Sequence, residues 1–366
     1  MKSFHSLLVL KGILTATCLI ALSTSCGTGG GEKTKAMRDG KGTAALDPRN
    51  AVYYWKTVFQ LGEEERRFIN ENDVERIYLR MIDVDIKSTS ESDAEAIIPI
   101  ATTIFKDSIP KGVEIVPTIF ITVDAIKKMI GLNLSTDQLS SKILRRVLNM
   151  VDYNDLGPVR EIQLDCDWTE ATQRGFFDLC KEIKSQAGNY RISVSSTIRL
   201  HQLQSDPPPV DRGVLMLYNT GYFKVPGKRN SILGYDDVKQ YLKGRKIDYP
   251  IPLDFAYPAY SWGVWFRDGT FMSLLHQSDF SNEGYFKDTD GDGIYAVVKN
   301  CEIDGHEIKK GDSIRLEKPS FEDIQKVSQL IKKSFPGTPH SNIIYHLDST
   351  IFSMFTDDEI KDIYSF

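Results

Sequence analysis

Apolar residues along this chain follow two alternating rhythms. Short runs with period two or near-continuous apolarity predict β-strands, and stretches with apolar residues three and four apart predict amphipathic helices. Eight runs are of the first kind: Ala51 to Trp55, Arg76 to Ile86, Val113 to Thr122, Glu161 to Trp168, Tyr190 to Thr197, Gly213 to Asn219, Pro250 to Tyr260 and Asn342 to Asp348. Helical patterns span Gly62 to Asn72, Ser135 to Val151, Thr169 to Gln186, Tyr235 to Lys243 and Ser320 to Ser334. Residues 87 to 112 give at best a weak helix, and Ile198 to Leu203 a very short one.

Strands alternating with helices pair in parallel through crossover connections. Eight such units imply an α/β fold, a closed (β/α)8 TIM barrel, with function expected at the carboxyl ends of its strands. An open doubly wound sheet is the competing architecture; the absence of a glycine-rich phosphate loop after any early strand counts against it. The alternation breaks after the seventh run. Trp265-Phe-Arg-Asp268-Gly269-Thr-Phe-Met272 carries a hairpin signal, and further strand-like pieces follow at Ile294 to Lys299 and Ser313 to Glu317. A small β-rich insertion over about 263–317, between strand seven and the next helix, is expected to pack over the barrel mouth.

The N-terminus adds a different kind of information. Met1-Lys2 and Lys11 precede an apolar run, Ile13 to Leu22, of about ten residues, half of what a bilayer-spanning helix needs. Small residues Ser23-Thr24-Ser25 then lead to Cys26, an order that reads as a secretory signal. The small-residue stretch ending in cysteine resembles the lipobox of bacterial lipoproteins. That resemblance implies a signal peptide over 1–25, lipid on Cys26 and attachment to a membrane; an ordinary signal peptide with an unmodified Cys26 is the alternative. Gly27 to Lys35 has almost no side chains to bury, so 26–47 is expected to be a flexible tether, with the barrel domain over 48–366. Gly27 stands where an aspartate retains some lipoproteins in an inner membrane, which points to the outer membrane of a cell envelope.

The net charge of −5 is spread without a basic stripe, so no nucleic-acid surface is indicated. Of five cysteines, Cys166 and Cys180 lie on apolar faces and read as buried thiols, with a Cys166–Cys180 bridge open in an oxidising compartment. The histidines fall in no metal-ligand spacing, and no G-x-S-x-G elbow occurs.

Chemistry concentrates in Glu161-Ile-Gln-Leu-Asp-Cys-Asp-Trp-Thr-Glu170. Period two turns Ile162, Leu164 and Cys166 toward outer helices and leaves Gln163, Asp165 and Asp167 on the inner side. Two carboxylates in adjacent inward layers repel, so one is expected to hold its proton to higher pH. That prepares a general acid; a satisfied structural network is the alternative.

Asp165-Cys-Asp167 on the fourth strand resembles the centre of the D-x-x-D-x-D-x-E motif of chitinase-type glycoside hydrolases, family eighteen. Met216-Leu-Tyr218-Asn219 on the sixth is similar to that family's M-x-Y-D, and Leu253 to Trp262 to its Pro/Tyr/Trp-rich seventh strand. The resemblance implies a sugar-hydrolysing barrel in which a glutamate protonates the leaving oxygen. Here the sequence departs: Thr169 stands at that position, and Glu170 falls one residue later, at a helix start. The chain also resembles, over about 50 to 360, a family of bacterial proteins with glycoside-hydrolase-like barrels, on Ile162 to Asp167 and Tyr260 to Gly269; this second resemblance implies the fold alone.

Asp165, Asp167 and Glu170 are therefore the candidate catalytic residues. Asp83 and Asp85 ending strand two, Gln163, Asp254 on strand seven and Asp348 ending strand eight are candidate substrate-binding groups, joined by the faces of Tyr218, Tyr257, Tyr260 and Trp262. Aromatic faces beside carboxylates suit sugar rings, which are apolar on one side and rimmed by hydroxyls. Asp288-Thr-Asp290-Gly-Asp292-Gly293 has the start of a calcium loop, but Lys299 occupies the position of the bidentate glutamate, so an acidic turn is the stronger reading and no cofactor is required. Two functions remain open: a lipid-anchored protein binding or hydrolysing a carbohydrate, and a noncatalytic envelope lipoprotein binding a glycan or a protein partner.

Overall fold

The computed structural model describes residues 48–366, apart from 87–96, 102, 228, 277–278, 290, 292 and 349–350. Cys26, the signal segment and the tether lie outside the described residues, as do Asp290 and Asp292.

Eight parallel strands form a closed ring: β1 (Asn50–Tyr54), β2 (Val74–Ile86), β3 (Glu114–Ile121), β4 (Glu161–Asp165), β5 (Ser193–Arg199), β6 (Arg212–Met216), β7 (Leu253–Pro258) and β8 (Asn342–Tyr345). Closure runs through β8 and β1, where Ala51 lies opposite Ile343 and Val52 opposite Ile344. All eight predicted runs became barrel strands. Helices α1 (Glu63–Glu71), α2 (Val123–Gly131), α3 (Thr136–Tyr153), α4 (Glu170–Gly188), α5 (Tyr235–Leu242), α6 (Phe321–Ser334), α7 (Ile351–Met354) and α8 (Asp357–Ser365) accompany the ring.

Alternation along each strand splits the apolar residues into two cores. The larger lies between strands and helices and takes Ile77, Leu79, Ile162, Leu164, Cys166, Leu215, Phe255 and Tyr257. The smaller fills the ring with Ala51, Tyr53, Tyr78, Val116, Val214, Met216, Ala256 and Ile343. Large side chains in the second set leave a packed interior rather than a pore, as in barrels generally.

Several elements depart from expectation. Residues Ile97–Ala101 form a strand antiparallel to the end of β2, with Ile86 opposite Ile97, where a weak helix was expected. Run-on β-branched residues there satisfy the free edge of β2 beyond the reach of β1. Helices α2, α7 and α8 were not expected from the sequence pattern. Cys166 and Cys180 are both buried free thiols, so the bridge left open by the sequence is not formed.

After β7 the expected insertion folds as a five-stranded antiparallel sheet, beginning at Trp262–Arg267 and ending at Ser313–Glu317, with its own apolar core around Trp265, Phe280 and Ile314. Asp268 and Gly269 both have positive φ, 49° and 74°, as the predicted type I′ turn requires.

Candidate functional site at the barrel mouth

The ring has two chemically different ends. At the strands' amino ends, Arg76 ion-pairs Glu114 at 3.2 Å and Glu161 at 3.4 Å, and Arg212 pairs Asp254 at 2.8 Å. Asp254 also accepts a hydrogen bond from the Ser341 amide at 2.6 Å. Buried charges persist only when so compensated. Asp254 was expected at the cleft. It instead begins β7, and its position at the amino end of the strand puts it on the opposite side of the barrel from the mouth. Tyr257 is also corrected: one residue out of phase with inward Ala256, it faces the helices and packs near Phe366, ring centroids 6.0 Å apart.

Toward the carboxyl ends lie the residues singled out on β4. Gln163 is wholly buried and its Oε1 accepts a hydrogen bond from Tyr53 Oη at 2.8 Å, while its Nε2 has no protein partner. One layer higher, Asp165 accepts a hydrogen bond from Thr197 Oγ1 at 2.6 Å. Burial pushes the Asp165 carboxyl up to about 6, with the Asp167 charge adding to the shift and the Thr197 hydroxyl opposing it.

Asp167, higher still, is half-exposed and held by both nitrogens of one Arg199 edge, with Nη2 to Oδ2 at 2.6 Å. Across the mouth Arg80 holds Asp83 in the same way, at 3.0 and 2.6 Å. That second pair exists because β2 slips register between Arg80 and Ile82. The extra residue turns Asp83, opposite Phe120, to the face that Arg80 occupies.

Aromatic rings surround these pairs. The Arg80 guanidinium lies over Trp55 and Phe120, 5.4 and 5.3 Å from their centroids. Tyr345 stacks on Tyr218 at 4.3 Å and tilts against Trp55 at 5.8 Å. Tyr260 donates to Asn219 Oδ1 at 2.6 Å, and Trp262 beside it donates from Nε1 to Glu317 Oε2 at 2.8 Å. Burial lowers the affinity of neighbouring His346 for a proton.

The remaining candidates sit at the rim. Asp85 accepts a hydrogen bond from Thr122 Oγ1 at 2.9 Å, whose oxygen also caps α2. Asp348 pairs with Lys56 at 3.1 Å. Glu170 is exposed in the first turn of α4, and Thr169, its N-cap, donates its amide to Thr172 Oγ1 at 2.9 Å. Asp288, in the acidic turn, is exposed and accepts from the Gly291 amide at 2.9 Å. Among the described residues, no three His, Cys, Asp or Glu side chains converge as metal ligands.

Trp55, Arg80, Thr197, Arg199 and Tyr345 were not among the expected site residues. Trp55, Thr197, Arg199 and Tyr345 stand at or next to the carboxyl ends of their strands, so the end-of-strand rule applied to every run would have reached them; Arg80, in the middle of β2, it would not.

No protein-family model matches the chain, and neither does any curated protein sequence. Solved structures do. A Group IV chitinase from Ostrinia furnacalis aligns at 10% identity with a TM-score of 0.52, covering 87% of this chain and 99% of that one. The same enzyme in complex with allosamidin aligns at 11% and 0.50, over 87% and 98%. A chitinase from Chromobacterium violaceum aligns at 11% and 0.50, over 86% and 98%. The fold of the barrel is similar to that of these chitinases. At these identities the likeness concerns the fold, and the chemistry has to be argued from the mouth itself.

Proposed function

We propose that the protein is an exported lipoprotein, acylated on Cys26 and held in the cell envelope at the outer membrane, whose barrel mouth binds a carbohydrate without cleaving it. The observation that carries the binding reading is the mouth's composition: Asp165 and two arginine–carboxylate pairs flanked by Trp55, Phe120, Tyr218 and Tyr345. Flat apolar faces beside charged hydrogen-bonding groups match the two chemistries of a sugar ring. The allosamidin complex of a structural neighbour supports the same class of ligand.

Binding is favoured over hydrolysis by the state of the acids. Glycosidases use two carboxyl groups with separate roles. Here Asp83 and Asp167 are each paired with an arginine, and Thr169 stands where the resemblance to family-eighteen glycoside hydrolases implies a glutamate. Asp165 makes no salt bridge among the described residues and is bonded instead by the Thr197 hydroxyl.

One observation favours hydrolysis as a second reading: the raised Asp165 carboxyl keeps a proton at mildly acid pH, as a general acid must. A glycan panel read for both binding and product release separates the two. Binding without release supports the first reading. Release abolished by Asp165→Asn supports the second, and neither binding nor release on any glycan rejects both. Labelling of Cys26 by palmitate in cells, lost in Cys26→Ser together with membrane fractionation, tests the anchor.

A further inference from the structure

The amino-end face of the barrel carries a group of cations with no ion-pair partner among the described residues. Lys243, Arg245 and Lys246 follow α5, Lys332 and Lys333 end α6, and all five are exposed. The two segments are one surface, because the Ile247 amide donates to the Ser334 carbonyl at 2.8 Å. Asp248 is the single acid within 239–250 and 331–341. None of the five makes a salt bridge among the described residues, unlike Lys184, Arg229 or Lys326 elsewhere on the surface. Helices run antiparallel to the strands they follow, so the ends of α5 and α6 lie at the end of the ring opposite the mouth.

The point where the chain enters the barrel belongs to the same face. The Arg49 amide donates to Ser341 Oγ at 3.0 Å, in the loop that leads from α6 to β8. Twenty-two residues, 26–47, lead from Cys26 to this point of entry, so a lipid on Cys26 would tether the barrel through the end opposite the mouth.

We propose that this cationic corner docks on an anionic phospholipid surface and holds the mouth away from the membrane. The inference rests on the lipid-anchor reading for its geometry, but its charge chemistry is separable. Cations near a bilayer gain about 1 kcal/mol each from acidic headgroups, or about fivefold in partition. The whole chain is net negative at −5, so attraction to a negative surface has to come from a local patch. A barrel docked this way opens toward a polymer on the far side of the tether.

The test is flotation of the chain carrying Cys26→Ser with phosphatidylglycerol vesicles, phosphatidylcholine vesicles, and either in high salt. A second protein adds Lys243→Glu, Arg245→Glu and Lys333→Glu, exposed positions remote from the mouth, with circular dichroism to verify folding. The expected result is binding to phosphatidylglycerol that drops at least tenfold in the triple variant and in high salt. Equal binding to both vesicles, or no loss on charge reversal, overturns the proposal. If Cys26 is found unlabelled in cells while the phosphatidylglycerol preference persists, the anchor falls and the docking surface stands.

Discussion

Arg199 grips both oxygens of Asp167, two residues beyond Asp165 on the same face of the barrel. The pair does two things to the buried acid below it. Asp167 raises the Asp165 carboxyl by like-charge repulsion, and Arg199 lowers it, so the clamp tunes a group that neither residue touches. Replacing the partners in turn should therefore move Asp165 in opposite directions. Asp167→Asn is expected to bring its titration down and Arg199→Gln to bring it up, both followed by carboxyl carbon NMR. Shifts of the same sign would mean that packing changes, not charge, set the value.

Stability should report the same buried carboxyl. In the unfolded chain it ionises near the ordinary aspartate value, about 3.9, and in the fold at about 6. Between those values the folded state binds more protons, so stability falls as pH rises through the window and stays reduced above it. The two-unit difference corresponds to about 3 kcal/mol at most. Asp165→Asn keeps an oxygen for the Thr197 hydroxyl and removes the charge. Urea unfolding should find it more stable than the parent at pH 7.5 and indistinguishable at pH 3.5. An equal effect at both pH values would place its cause elsewhere.

At the opposite end, Arg212 and Asp254 are buried and bonded at 2.8 Å. Truncating one strands the other's charge in the interior, at a cost of about 3–5 kcal/mol. Arg212→Met and Asp254→Leu are each expected to lose that much in urea titration. The double variant should recover most of it, because an apolar pair leaves no charge to compensate. Additive losses would show that shape, not charge, holds this end together.

The legibility of this chain differs between its levels. The ring could be read because each strand buries one face against helices and the other against its neighbours, which writes period two into Ile162, Leu164 and Cys166. The same rule, applied to β7, contained the error over Tyr257. Asp254 and Tyr257 differ by an odd number of residues and cannot both face inward. The orientation of Asp83 was harder to see, since it depends on the register slip after Arg80, and nothing local marks a bulge there. Arginine partners were invisible for another reason. Arg199 and Asp167 lie 32 residues apart and meet only through the adjacency of β4 and β5. The fold follows from local periodicity, whereas the electrostatics of the mouth depend on which strands become neighbours.

Trp55 is the residue by which the carbohydrate reading is most directly measured. It ends the β1 run, is half-buried, and has the Arg80 guanidinium against one face at 5.4 Å and Tyr53 and Tyr345 rings at 6.0 and 5.8 Å. Because those neighbours also pack on one another, Tyr53 and Tyr345 at 5.4 Å, removing the indole should remove ligand contact with little change in fold. If an indole face gains against a sugar what aromatic pairs gain, about 0.5–1.5 kcal/mol beyond simple area, its loss reaches about tenfold in affinity. Calorimetry with a chitooligosaccharide should then show Trp55→Ala about tenfold weaker, and Trp55→Phe intermediate. Tyr257→Phe, on the helix side of β7, should leave affinity unchanged. A loss at Tyr257 equal to that at Trp55 would locate the sugar outside the mouth.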